Sequence, residues 1–488
     1  MKHLKCKVEV LSRDDINDIH VASLEILAHI GATFRSKKAL KIFDDHGATV
    51  DYRKLNVKIP SDMVEKLVRK APKKYWLYGR NPDYRVEIGG KNQFLAQAGD
   101  FNYVVDMDTG ERRFGLLRDY ENFIRIGDAL KNIAIPYGMV RYPYDVPENL
   151  QHVELLMAQY KNTPAPLPAF CETLDTTRDC LELAVLAAGG EEELKKRPCL
   201  AGVISADSPL QFDAKLTESA IECATFGIPT TSGPMDITGA TAPLTLAGTM
   251  VQTNATILAG ICLVQIVKPG TGFVYSDVPA VMDMRTGIAS VGGPEQALLC
   301  VASAQMAQHY NLPSSVWGGI PDSKIPDVQA GYESALTLLP PLLAGANQVV
   351  GGGLEYYLSA CYEMVVIHDE IFGMAKRIVE GIDVNLEAMA LPLIKKIAPK
   401  AAIGAGTHYL TEKHTLDNIK KELYIPSISD KTRRGSWEKA GAKDLRQVAK
   451  ERVQEILAKH EPEQPPTDIL KEMERKAEEM KRRIQKRK

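Results

Sequence analysis

Acidic and aromatic side chains collect at one kind of place in this chain, the C-terminal end of a short apolar, β-like segment that stops at Gly, Pro, Asp or Ser. Glu172, Ser205, Asp207, Asp236, Tyr275, Asp277, Trp317, Asp322, Lys324, Glu355, Tyr356 and Tyr357 all stand there. A bowl of that composition suits a cation, because carboxylates supply charge and aromatic faces supply quadrupole attraction, strongest for Trp. A quaternary ammonium group is the natural guest. The competing reading is that Asp and Ser at a strand-to-helix junction are ordinary helix N-caps. Gly318, Gly319, Gly351, Gly352 and Gly353 lie where many parallel barrels bind phosphate, which makes a phosphate-anchored lyase or isomerase the rival chemistry. That enzyme would need a basic pocket, and this one is acidic.

Residues so scattered can meet only if the elements carrying them close into one frame. Eight segments read as barrel strands, 94–99, 133–141, 167–172, 200–206, 228–233, 272–276, 313–318 and 347–352, each followed by a stretch of helical length. The alternation predicts an α/β protein built on a (β/α)8 TIM-type barrel, whose post-strand loops hold the site. An inserted hairpin is expected over 103–115, turning at Asp108, Thr109 and Gly110. Residues 1–91 predict a mostly helical N-terminal cap, 92–384 the catalytic barrel, and 385–488 a C-terminal helical extension. The final charged helix reads as solvated or loosely docked.

Composition narrows the partners. The chain has 488 residues, is 45% hydrophobic and carries 60 basic against 62 acidic residues, a net charge of −2. No overall field draws it to nucleic acid or an anionic membrane. The absence of an h-region near the start, and of any apolar run judged long enough to span a bilayer, predicts a cytoplasmic protein. The eight cysteines and ten histidines show no metal-ligand spacing, so no metal is expected and the thiols should be reduced and mostly buried.

Several separate motifs, in order, carry a family resemblance: HVASLEILAHIGATF and GRNPDYRVEIGG in the cap, GPMDITGATAPLTLAGTMVQTNATILAG, GGIPDSKIPDVQAGYESAL, PPLLAGANQVVGGGLE, and the tail signature GAGTHYLTEKHTLDNI. Across residues 11–449 the chain resembles the trimethylamine methyltransferase superfamily. Every residue is one of the standard twenty, which places it with the branch lacking pyrrolysine. The resemblance implies an anaerobic, cytoplasmic enzyme of one-carbon metabolism that moves a methyl group from a quaternary amine, glycine betaine or a relative, to the Co(I) of a separate corrinoid protein. No cofactor is implied to be permanently bound. A homo-oligomer is expected, and a non-catalytic betaine-binding protein is the remaining alternative.

On that reading Trp317, Tyr275, Tyr356 and Tyr357 form the cation cage, with Asp236, Asp277, Asp322 and Glu355 as the acidic catalytic groups. Lys324, Arg285 or His368 pairs with a substrate carboxylate. Gly318, Gly319 and Gly351 to Gly353, with His408, face the corrinoid.

Overall fold

The computed structural model describes residues 7–168, 171–401 and 408–486. Its centre is an eight-stranded parallel sheet of β1 (Phe94–Gln97), β2 (Ile133–Ile135), β3 (Leu167–Pro168), β4 (Leu200–Ile204), β5 (Thr230–Ser232), β6 (Phe273–Asp277), β7 (Ser314–Val316) and β8 (Gln348–Gly351). The hydrogen-bonded order is β3-β4-β5-β6-β7-β8-β1-β2. The pairing of β8 with β1, Val349 opposite Leu95 and Val350 opposite Ala96, curls the sheet round so that first and last strands are neighbours. All eight expected segments contain a strand, and the α/β barrel expectation holds.

A helix follows each strand: α1 (Leu117–Ala129), α2 (Gln151–Asn162), α3 (Leu174–Ala188), α4 (Ala214–Phe226), α5 (Leu246–Val267), α6 (Pro294–His309), α7 (Val328–Ala344) and α8 (Tyr362–Glu380). Local chemistry sets their ends. Thr173, Asp213 and Asp327 cap α3, α4 and α7, each side chain accepting backbone N–H groups of the first turn. Gly189, Gly227 and Gly345 close the same three helices in the left-handed conformation. None of the strand-end acids named above is an N-cap. Capping is done by other residues, so that alternative reading of the bowl falls.

The outer faces of the strands pack under the helices, whereas parts of the concave face stay open. Along β4, Leu200, Gly202 and Ile204 are buried, while Ala201 and Val203 between them, and Ser205 just beyond, remain partly exposed. Thr231 on β5 and Ala134 on β2 alternate in the same way. A filled barrel would bury both faces. This one keeps a lumen open.

The cap contains more β-structure than expected. Ala32–Phe34, Asn56–Lys58 and Thr49–Asp51 form a sheet that Gln211–Phe212, from the loop after β4, extends. The hairpin Lys74–Tyr78 with Arg85–Gly89 floors the barrel: a Cβ on Gly272 would lie 2.8 Å from the Tyr75 ring. Cap helices also cover α5. That 22-residue helix has the length and apolarity of a membrane span, contrary to the expectation that no run would, but 78% of its most apolar stretch is buried. It is apolar all round because barrel and cap enclose it.

Beyond α8 the chain forms α9 (Leu391–Ala401), α10 (Lys413–Glu422), α11 (Leu445–Lys459) and α12 (Thr467–Lys486), with a short helix at Arg434–Lys439 between α10 and α11. The last helix is firmly docked, not solvated. Met473, Ala477 and Met480 are buried on α2 and α3, and Lys161 with Glu474 and Lys481 with Glu154 pair at 2.8 and 2.7 Å. Its charge alternation hides a narrow apolar stripe.

Candidate active site

The loops after the strands build two small sheets over the barrel mouth. After β8 the chain turns back as the hairpin Gly353–Leu354 with Ser359–Ala360, which joins the hairpin Tyr103–Val105 with Arg112–Phe114. After β5 and β6, Ile237–Thr238, Ala280–Asp283 and Ile288–Ser290 form the second. The loop after β7 laces them. The Asp322 carboxylate accepts from Val291 N and Gly292 N at 2.9 and 3.1 Å and from the Ser290 hydroxyl. The Ser323 and Pro321 carbonyls accept from Glu355 N and Tyr356 N at 2.9 and 3.3 Å.

Backbone strain gathers at the same place. Glu355, Tyr356 and Tyr357 are consecutive left-handed residues, with φ of 58°, 51° and 60°; Asp100 and Met139, after β1 and β2, have 72° and 60°. A non-glycine residue in that region costs roughly 1–2 kcal/mol, so three in a row persist only when the surroundings impose them. Here Glu355 supplies the restraint. Its carboxylate accepts from Ser359 Oγ at 2.7 Å and pairs with Arg112 at 2.9 Å.

That turn presents an aromatic cluster. The Trp317 and Tyr357 rings meet edge to face with centroids 5.2 Å apart, and Tyr356 and Tyr357 lie 5.5 Å apart. Trp317 and Tyr356 are partly exposed, whereas Tyr357 is buried behind them and its hydroxyl donates to the Trp317 carbonyl at 3.5 Å. The Tyr356 hydroxyl lies 4.0 Å from the Met235 sulfur, after β5. Burial raises the pKa of both phenols, which stay neutral. Two aromatic faces and a thioether therefore line one side of the mouth.

The loops after β1, β2 and β3 supply a charged rim. Arg141, after β2, lies between Asp100 and Glu172, with Glu172 at 2.7 Å. Burial works against its charge, but the two carboxylates win and push its pKa up. Nearby Tyr137 has its pKa raised by burial and by Asp100. Exposed Asp207 and the lacing pair Asp322 and Glu355 keep the mouth acidic against Arg112 and Arg141.

Of the expected site residues, Trp317, Tyr356, Tyr357, Asp322 and Glu355 come together. Others do not. Tyr275 points outward from β6, fully buried, its hydroxyl donating to Asn254 of α5 at 3.1 Å, so it is no cage wall. Asp277 has the same parity, opposite Val316, and faces α6, where Ser303 donates to it; burial pushes its carboxyl up to about 7. Asp236, 1% exposed, accepts from Ser208, Gln252 and Thr253 and knits the β4 and β5 loops. His368 is buried behind β8 against Ser334 Oγ at 2.9 Å, and burial lowers its pKa to about 4, so it offers no cation. Arg285 extends from a hairpin tip, 89% exposed and paired with Asp283. Lys324 is exposed with its amine on the Asp322 carbonyl.

The glycines serve packing. All five are buried, and a Cβ would meet the Thr337 carbonyl at 2.3 Å from Gly318 and the Phe101 ring at 2.1 Å from Gly353. At Gly318 and Gly353 the close approach is to the protein itself and leaves no room for a phosphate or a macrocycle. His408 is exposed at the start of the turn Tyr409–Thr411. The residues of the tail signature before it, 404–407, lie outside the described residues. Asp100, Tyr137, Arg141 and Met235 are the mouth residues that sequence reasoning missed. Arg141 and Asp100 do stand at or just past expected strand ends, and a search for both signs of charge there would have found them.

Known proteins match nearly all of this chain. A family model described as trimethylamine methyltransferase (MTTB) matches residues 1–487. The chain is 35% identical to a glycine betaine methyltransferase of Desulfitobacterium hafniense, over 95% of each chain. It is also 35% identical to a trimethylamine methyltransferase of the same species, over 94% of this chain and 91% of that one. A Methanosarcina mazei trimethylamine methyltransferase is 32% identical over 96% and 94%. Among solved structures, the Methanosarcina barkeri monomethylamine methyltransferase superposes with a TM-score of 0.52 at 12% identity, covering 93% and 90%. That last likeness concerns the fold alone.

Proposed function

The chain belongs to the trimethylamine methyltransferase family, and we propose that this methyltransferase takes its methyl group from a quaternary amine, glycine betaine or a close relative. The observation that carries the reading is the partly exposed pair Trp317 and Tyr356, backed by Tyr357 and held in an acidic mouth by a strained turn. An aromatic face attracts a cation that has no N–H to donate, where a hydrogen-bond acceptor gains little. The similarity to a glycine betaine methyltransferase supports the same substrate class.

A quaternary nitrogen is already positive, so a neutral tertiary amine leaves and no residue must transfer a proton to it. A corrinoid carried by a separate protein supplies, when docked, the Co(I) that accepts the methyl group. The residues fit an acceptor that arrives from outside: the strand-end glycines offer no cradle, but the lumen stays open along Val203, Ser205 and Thr231. This chain's task is to bind the cation, turn one N-methyl outward and exclude water, which is catalysis by positioning.

Positive charge on nitrogen fades as the methyl leaves, so a carboxylate in contact with it would hold the substrate more tightly than the transition state. Asp322 and Glu355 avoid that error because they are spent on the loops. The aromatic faces hold the cation more gently. Arg141 is the better partner for a betaine carboxylate, which would take the place of Glu172, a partner itself 39% exposed, on its guanidinium.

The deciding experiment mixes the purified protein anaerobically with Co(I) cobalamin or a corrinoid protein and a panel of quaternary and tertiary amines, following methyl-Co(III) spectroscopically. Methylation with a betaine and not with trimethylamine is expected. A spectrum unchanged by every amine would remove the reading and leave the betaine-binding protein.

A further inference from the structure

Gln296 stands in the first turn of α6, just after Pro294 opens the helix, and is 1% exposed. Its amide nitrogen donates to the Trp317 carbonyl. A carbonyl only accepts, so the amide must turn its nitrogen that way, and its buried oxygen is left with no hydrogen-bond partner among the described residues. An unpaired buried oxygen costs free energy that an apolar side chain of similar size, methionine, avoids. Core packing therefore does not account for a glutamine here. What the amide supplies and methionine lacks is the bond to Trp317.

That bond completes a frame around the loop after β7. Gly319 N donates to Thr337 Oγ1 at 2.9 Å, Gly318 sits against the Thr337 carbonyl, and Asp322 N donates to Glu333 at 2.8 Å. Helix α7 thus fixes the loop from Gly318 onward, whereas Trp317 itself is held from α6, by Gln296. The Tyr357 hydroxyl reaches the same carbonyl only at 3.5 Å. Gln296, Cys300 and Ser303, at i, i+4 and i+7, share one face of α6. Ser303 donates to Asp277, and both Asp277 and Cys300 lie within electrostatic reach of the Tyr357 phenol, so this face backs the Trp317 and Tyr357 pair.

We propose that Gln296 is a positioning residue for methyl transfer: it fixes the Trp317 carbonyl and so sets the plane of the indole before the cation arrives. The inference rests on the reading of Trp317 as a cage wall. The ring must turn its face to an ammonium group, because its quadrupole is negative on the face and positive at the edge. A backbone free to turn would rock the indole and misplace the N-methyl, and a shift of about 1 Å costs on the order of a hundredfold in rate.

The test uses the full chain with Trp76 and Trp437 replaced by Phe, which leaves Trp317 as its one tryptophan. In that background Gln296→Met keeps the size and removes the donor, and time-resolved fluorescence anisotropy reads the ring without any substrate. At least a twofold larger fast component is expected, with circular dichroism and melting showing an intact fold. In the otherwise wild-type chain the same substitution should lower kcat about tenfold and change the Kd for glycine betaine less than threefold. Gln296→Glu adds a readout that packing would not move. Protonated, its carboxyl donates to the Trp317 carbonyl as the amide does; ionised, it repels it. Its kcat relative to wild type at the same pH should fall as pH rises; Asp277, Cys300, Asp322 and Tyr357, the ionisable groups around this cluster, are common to both chains, and the ratio removes their part. Unchanged anisotropy, a Gln296→Met kcat within twofold of wild type, or a Gln296→Glu ratio independent of pH would each overturn the inference. Trp317→Ala separates the two readings. If it leaves quaternary-amine affinity unchanged, the cage falls and the inference with it; if it weakens binding while Gln296→Met alters neither ring mobility nor kcat, the cage stands and Gln296 alone is wrong.

Discussion

At the scale of single residues, the mouth separates groups that meet the substrate from groups that hold the frame. Trp317→Ala removes a cation-binding face worth about 0.5–2 kcal/mol, so a roughly 2- to 30-fold weaker affinity for a quaternary amine is expected, measured by calorimetry. Tyr275→Phe, behind the sheet, should leave that affinity unchanged. Asp277 gives a pH signature. Its folded carboxyl titrates near 7 rather than at the ordinary 3.8, so between those values the folded protein holds a proton the unfolded chain has lost. Stability therefore falls as pH rises through that window, at up to about 1.4 kcal/mol per unit, and Asp277→Asn should flatten the slope. Urea midpoints across the window check it, and parallel slopes in the two proteins would refute it.

At the scale of elements, the turn after β8 is the most constrained piece of the site. Three left-handed residues are held by Glu355 through Arg112 and Ser359, and the turn rests on the β7 loop that Asp322 ties down. Glu355→Ala should relax it, lowering kcat for methyl transfer about tenfold or more while the thermal midpoint moves little, because release of the strain offsets removal of the ion pair to Arg112 and the hydrogen bond from Ser359. An unchanged kcat would show that the strain has no catalytic part. The docked α12 makes a separate prediction. Met473 and Met480 bury side chains worth on the order of 3–6 kcal/mol together, so Met480→Asp should lower the urea midpoint clearly. A solvated helix would tolerate it.

At the scale of the whole molecule, the βα alternation was readable because it is local: each strand is a short apolar run, each break carries turn residues, and each helix shows its own period. The barrel and all eight strand positions were legible for that reason, as was the aromatic pair at Trp317 and Tyr356. Facing was not. β6 is buried at every position and mixes apolar and polar residues on both parities, so period-two alternation does not reveal which parity looks into the lumen. Tyr275 and Asp277 have one parity of β6 and Ser276 the other, and the helix layer rather than the residue type decided that the first two turn outward. Arg141 stood at an expected strand end and could have been found there by its charge, but its pairing with Asp100 and Glu172, which follow two other strands, is tertiary. By itself, then, the sequence determined the fold class, the family and the chemistry available at the strand ends. Tertiary structure decided which of those groups face a substrate, because lumen and core differ only in what lies across from a side chain, and that neighbour is distant in the chain.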